Sequence, residues 1–199
     1  MSARDDVLAA VAAATSGGAG EVGAIPRDYR RRLGPADLGV FVERVEDYRA
    51  TVTRCRPEEL AETVRRVLGS AGRVVVPDGL GVDVPGGERD TGLSSVELDR
   101  VDAVVTESSV AVAETGTIVL EHGPGQGRRA LSLVPDHHVC IVRTDQVVED
   151  VPAALERLDP LRPQTWISGP SATSDIELSR VEGVHGPRRL DVVLVETQG

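Results

Sequence analysis

The 199 residues contain no lysine and no asparagine, so all 22 basic residues are arginine. Without lysine the chain has no Schiff-base amine, no P-loop lysine and no lysine acid/base. Without asparagine it has no N-glycosylation acceptor. Cysteine is almost as scarce: Cys55 and Cys140 stand far apart, and no CxxC pair occurs. That excludes a zinc ribbon or an iron–sulfur cluster built from the chain's own thiols, and buried reduced cysteines are expected instead. Aromatic residues make up only 2% while hydrophobic residues reach 40%, so the core must be built from Val, Leu, Ala and Ile, as α/β packing allows. No apolar run approaches about 18 residues, and MSARDDVLAA is acidic where a secretory leader is basic. We therefore expect a soluble cytoplasmic protein. The net charge of −10, from 22 basic and 32 acidic residues, argues against a broad nucleic-acid surface and against a basic membrane patch.

What is present reads as alternating strands and helices. Residues 3–14 carry a helical stripe at Val7, Leu8, Val11 and Ala12, followed by the flexible TSGGAGEVG and an arm, residues 27–32, with four arginines. We take 1–35 as this helix and arm, and 36–199 as the main domain. Residues 36–50 predict a helix, 52–55 a strand, the stretch from Pro57 to Gly69 a second helix and 73–77 a second strand. This alternation indicates βαβ units and a mostly parallel sheet with helices on both faces. Residues 78–91 read as a surface loop. Strands are expected at 101–106, 117–120, 131–134, 139–142, 165–168 and 190–195. Residues 108–113 suit one or two helical turns, and 147–158 a helix.

Candidate chemistry lies in the turns. Glu114, Thr115 and Gly116 form a small acidic turn after a buried run, where a glycine permits positive φ. HGPGQGRR, residues 122–129, alternates three glycines before Arg128 and Arg129, so backbone N–H groups and a guanidinium fork are available for an anion. Its spacing matches neither GxGxxG nor GxxxxGK[ST], and a glycine-rich hairpin is the structural alternative. His137 and His138 are adjacent and, if extended, point to opposite sides. No HxxxH or HxxEH spacing accompanies them, so no metal site is expected. Gly169, Ser171 and Asp175 follow a strand in GPSATSDIE, and this segment lacks the second glycine of a GxSxG elbow. It suits a helix cap whose amides bind an anion. His185 is held in a turn by Gly183, Gly186 and Pro187.

AETGTIVL (113–120), LSLVPDHHVCIV (131–142), ISGPSATSDIEL (167–178) and VEGVHGPRRLDVVLV (181–195) together resemble the lactate-utilisation protein C family, the short members of the LUD-domain group. The resemblance implies a three-layer α/β/α fold with a mostly parallel sheet, similar to the NagB/RpiA/CoA-transferase superfamily. It also implies a role in oxidising L-lactate to pyruvate beside iron–sulfur partner proteins. The chain has no evident electron-carrying cofactor of its own. An accessory subunit that binds a small carboxylate or other anion is the direct inference. A CoA-transferase-like enzyme with Glu114 as nucleophile is the alternative, and a non-catalytic interaction module is a third. If ligand-binding turns converge at the carboxyl ends of parallel strands, then Glu114, Thr115, His137, Ser171, Asp175 and His185 line one pocket, with Glu114 partly buried beside Asp175.

Overall fold

The computed structural model describes residues 2–17, 23–24, 26, 35–170, 172–173, 181–182 and 186–197. Two units separate, Met1–Arg30 and Arg31–Gly199. The first holds α1 (Ala3–Thr15), started by a reciprocal cap: the Ser2 hydroxyl accepts from the Asp5 N–H, and the Asp5 carboxylate accepts from the Ser2 N–H. The stripe read from the sequence is helical, but none of its residues is buried. Residues 27–32, the arginine-rich arm, lie outside the described residues.

In chain order the second unit contains α2 (Leu38–Asp47), β1 (Thr51–Cys55), α3 (Leu60–Leu68), β2 (Val74–Val76), β3 (Glu88–Arg89), α4 (Ser95–Leu98), β4 (Ala103–Glu107), β5 (Val110–Val112), β6 (Thr117–Leu120), β7 (His137–Arg143), β8 (Val147–Val148), α5 (Val151–Arg157), β9 (Thr165–Ile167), the paired β10 (Ala172–Thr173) and β11 (Val181–Glu182), and β12 (Arg189–Val195). Six strands form one wholly parallel sheet in the order β1-β12-β7-β4-β2-β3. Its central strands are covered on both faces, which is why β4, β7 and β12 are nearly unbroken runs of apolar residues. A second sheet has the order β8-β5-β6-β9.

The layers follow from the alternation of side chains along the strands. Val139, Ile141, Val193 and Val195 face α3 through Val64, with Leu60, Val67 and Leu68 beside it. Cys140, Val142, Val192 and Leu194 face the opposite way, onto Phe41 and Val45 of α2 and onto Ala111, Ile118 and Leu120 of the second sheet. Toward β2, Leu98 of α4 and Leu131 cover Val75 and Val104 on that same side. α5 then packs Ala154 on the outer face of the second sheet. The result is a mostly parallel sheet flanked by helices in three α/β layers, with the smaller sheet built into one outer layer.

Four expectations are corrected. Residues 108–113 are not helical: β5 pairs antiparallel with β6, and its three fully buried residues sit between the parallel sheet and α5. Residues 131–134 are not a strand, because Arg129–Ser132 form a 3-10 turn that inserts Leu131 into the core. The helix expected over 147–158 is shorter, since Val147–Val148 join the second sheet and Asp150 caps α5. The loop over 78–91 is interrupted by β3. β1 and β2, whose alternation with helices indicated a parallel sheet, both join it, with three strands between them.

Candidate functional site

The carboxyl ends of β2 and β3 open into a cleft of about 730 Å³, lined by Pro77, Asp78, Gly79, Asp90, Leu131, Pro163 and much of the segment 122–129. That segment is a compact turn after β6. The N–H groups of Gln126 and Gly127 both reach the Gly123 carbonyl, and the Gly125 N–H reaches Asp78 O at 2.8 Å. The expected cradle of glycine amides is therefore not available at Gly125, whose N–H ties the turn to the loop after β2, or at Gly127, whose N–H closes the turn itself. His122 adopts φ 57°, a left-handed conformation that is costly for a residue with a Cβ. Its ring stabilises the bend: Nδ1 donates to Gly127 O at 2.9 Å, and Nε2 lies 2.9 Å from Thr165 Oγ1.

The paired arginines have different roles in this cleft. Arg128 forms a two-point ion pair with Asp90, Nε to Oδ2 at 2.6 Å and Nη2 to Oδ1 at 3.0 Å, and also donates to Leu93 O. The Arg128 guanidinium holds the Asp90 carboxyl below the usual carboxylate range, and the N–H groups of Leu93 and Gly92 act in the same direction. Arg129 is exposed, lines the same cleft and has no ion-pair partner among the described residues.

Glu107, at the carboxyl end of β4, was not singled out by sequence reasoning. Its Oε1 accepts from the Gly81 N–H at 3.0 Å, and its backbone N–H donates to Gly125 O at 2.7 Å. Gly125, at φ 74°, lies against the Glu107 carboxylate so closely that no Cβ fits there, and a Cβ at Gly79 would lie 2.8 Å from Pro124. One carboxylate thus lies under two glycine-containing loops. On its other side is a second cleft of about 610 Å³ at the carboxyl ends of β1, β12, β7 and β4, where Arg143, Asp145, Gln146 and Thr197 join it. Open parallel sheets bind ligands along this edge.

Thr115, Gly116 and Gly169 form a different cluster. The Thr115 and Thr117 hydroxyls lie 2.7 Å apart, and Thr117 continues to Ser168 at 2.8 Å. Gly116, at φ 61°, packs against the Arg44 and Val45 backbone, and Gly169, at φ 82°, packs against Tyr48. Backbone approach to the end of α2 explains both glycines. Glu114 is exposed rather than partly buried, its N–H donates to Glu149 O, and it lines neither of the two clefts.

His137 belongs to a third group. It begins β7 at the amino edge, on the α3 side and away from the second sheet that carries Glu114. Its Nε2 donates to Asp191 Oδ2 at 2.6 Å, and Arg189 Nε reaches the same oxygen at 2.6 Å. Burial pushes the Asp191 carboxyl up, but the His137 bond and the Arg189 charge outweigh it and hold it below its ordinary value. His138 points to the other face, fully enclosed, with Nε2 2.7 Å from Thr106 Oγ1; burial pushes it down to about 4. The structure therefore separates Glu114 from His137, and Ser171, Asp175 and His185 lie outside the described residues.

The LUD domain family matches residues 94–195. A protein named lactate utilization protein C from Deinococcus radiodurans is 51% identical over 169 residues, 79% of each chain. A protein of the same name from Halalkalibacterium halodurans is 37% identical over 110 residues, 50% of this chain and 46% of its own length. Among solved structures, a DUF162 family protein from Deinococcus radiodurans superposes with a TM-score of 0.70 at 45% identity, covering 79% of this chain and 95% of that one.

Proposed function

Because the chain belongs to the LUD-domain family, we propose that it serves in the utilisation of L-lactate, as a cytoplasmic component supporting oxidation of lactate to pyruvate beside iron–sulfur partner proteins. The observation that carries the reading is the 51% identity, over 79% of both chains, to a protein named for lactate utilisation. That oxidation releases two electrons and two protons, which a redox centre must accept. The donor set of this chain is poorly suited to a cluster. Cys55 and Cys140 are buried on opposite faces of the sheet, and burial pushes both thiols up, Cys140 to about 12. The electrons are thus assigned to partners, while this chain binds a small carboxylate or other anion as an accessory subunit. Lack of a membrane-crossing helix among the described residues is compatible with that role. An acyl-transfer reaction through Glu114 draws no support from its exposed turn.

The test is genetic. A strain lacking the gene, and lacking a second copy, should grow on pyruvate at the parental rate and fail or slow on L-lactate. Equal growth of the two strains on L-lactate contradicts the proposal.

A further inference from the structure

We infer that the cleft at the carboxyl ends of β2 and β3 binds a 2-hydroxy monocarboxylate bulkier than lactate, its carboxylate on Arg129 and its apolar body on Pro124 and Pro163. The 2-hydroxycarboxylate class rests on the family reading above; the site, the charge and the size come from the cleft.

Charge selects a monoanion. Of the charged side chains lining the cleft, Arg128 is taken up by Asp90, and Asp78 lies 3.5 Å from Arg89. Arg129 remains as a guanidinium without an ion pair among the described residues. A planar fork with no competing carboxylate matches a single carboxylate in two-point geometry. A second anionic group on the ligand would meet Asp78 and Asp90, with no further unpaired cation lining the cleft among the described residues.

Size and lining select a bulkier body. The cleft is open to solvent and measures about 730 Å³, far more room than lactate fills, and lactate offers only one methyl group to its walls. Pro124 and Pro163 are the exposed apolar side chains of those walls, and the turn behind Pro124 is fixed. A Cβ at Gly127 would lie 2.5 Å from Leu131 and 2.8 Å from Pro77, while the His122 ring is bonded at both nitrogens. A preformed apolar wall loses little freedom on binding, so each added methylene in contact should tighten binding about threefold to fourfold.

The experiment is calorimetric titration of the full chain with L-lactate, 2-hydroxyhexanoate, 3-phenyllactate, malate and inorganic phosphate. Affinity should rise from lactate through 2-hydroxyhexanoate to 3-phenyllactate, by at least about tenfold overall, with malate and phosphate weaker than 3-phenyllactate. Arg129→Gln should weaken 3-phenyllactate by at least about tenfold at an unchanged melting temperature, and Arg129→Lys should restore part of the loss. Tightest binding of lactate, malate or phosphate overturns the inference, as does wild-type affinity in Arg129→Gln or failure of every probe to bind. The order of affinities in the unaltered chain decides the matter even if a variant fails to fold. Failure here alongside a growth defect on L-lactate removes the site assignment and leaves the family role standing; a normal deletion strain with tight 3-phenyllactate binding does the reverse.

Discussion

Arg128 and Asp90 are joined at two points, Nε to Oδ2 at 2.6 Å and Nη2 to Oδ1 at 3.0 Å, and so tie the turn after β6 to the end of β3. This pair shapes the cleft, and its neighbour Arg129 lines the same cleft with no ion-pair partner among the described residues.

Arg128→Gln should therefore lower stability rather than act on a ligand directly. The Asp90 side chain is 9% exposed and Arg128 40%, so solvent screens part of the interaction, and a loss of about 1 kcal/mol is expected, about 2–4 °C in melting temperature. Asp90 has a folded pKa below its ordinary value. Its contribution is present above the unfolded pKa and is lost as pH falls through the folded one. Melting curves at pH 7 should show the full gap between wild type and variant, and curves below about pH 4 a smaller one. A gap that widens on acidification contradicts this account.

Two glycine substitutions separate backbone strain from the contact with Glu107. Gly86, at φ 78°, has open space around its missing Cβ, whereas Gly125, at φ 74°, has the Glu107 carboxylate there. Gly86→Ala should cost about 1 kcal/mol from the left-handed conformation alone. Gly125→Ala should cost more, about 2–4 kcal/mol, because the loop or Glu107 must shift. Denaturant midpoints measure both, and equal losses would remove the Glu107 contact as the reason for glycine.

His138 predicts an acid-sensitive core. Its folded pKa of about 4 lies below the ordinary 6.5, so the unfolded chain takes up a proton first as pH falls. Stability should be level above about pH 6.5 and decline between there and about pH 4, by on the order of 3 kcal/mol at full effect. Urea midpoints from pH 7.5 to 4.5 should fall for the wild type and fall less for His138→Leu. Parallel curves for the two proteins would contradict the assignment to His138.

The parallel sheet was legible in the alternation of strands with helices, and its central strands β4, β7 and β12, buried on both faces, carry mostly apolar runs broken only by residues such as His137, His138 and Asp191. Val110–Val112 was misread because three small apolar residues are compatible with a buried helical turn as well as with a buried strand, and only the pairing with β6 decides. Arg129–Ser132 was misread because Leu131 supplies the apolar signal of a strand while a 3-10 turn aims it inward. The glycine-rich segment with its two arginines was visible as a candidate. The division of labour between Arg128 and Arg129 was not, because it depends on Asp90 returning from β3. Glu107 gave no signal, since its role arises where residues 79–81 and 123–125 meet over it. His137 next to His138 suggested a site, but the first is engaged by Asp191 and the second is packed against Thr106.

The most direct measurement of the central claim is L-lactate-dependent reduction of an artificial electron acceptor by extract of cells lacking only this chain, before and after the purified protein alone is restored. The account predicts reduction that is low without the chain and recovers when it is added. Equal rates with and without it would contradict a role in lactate oxidation.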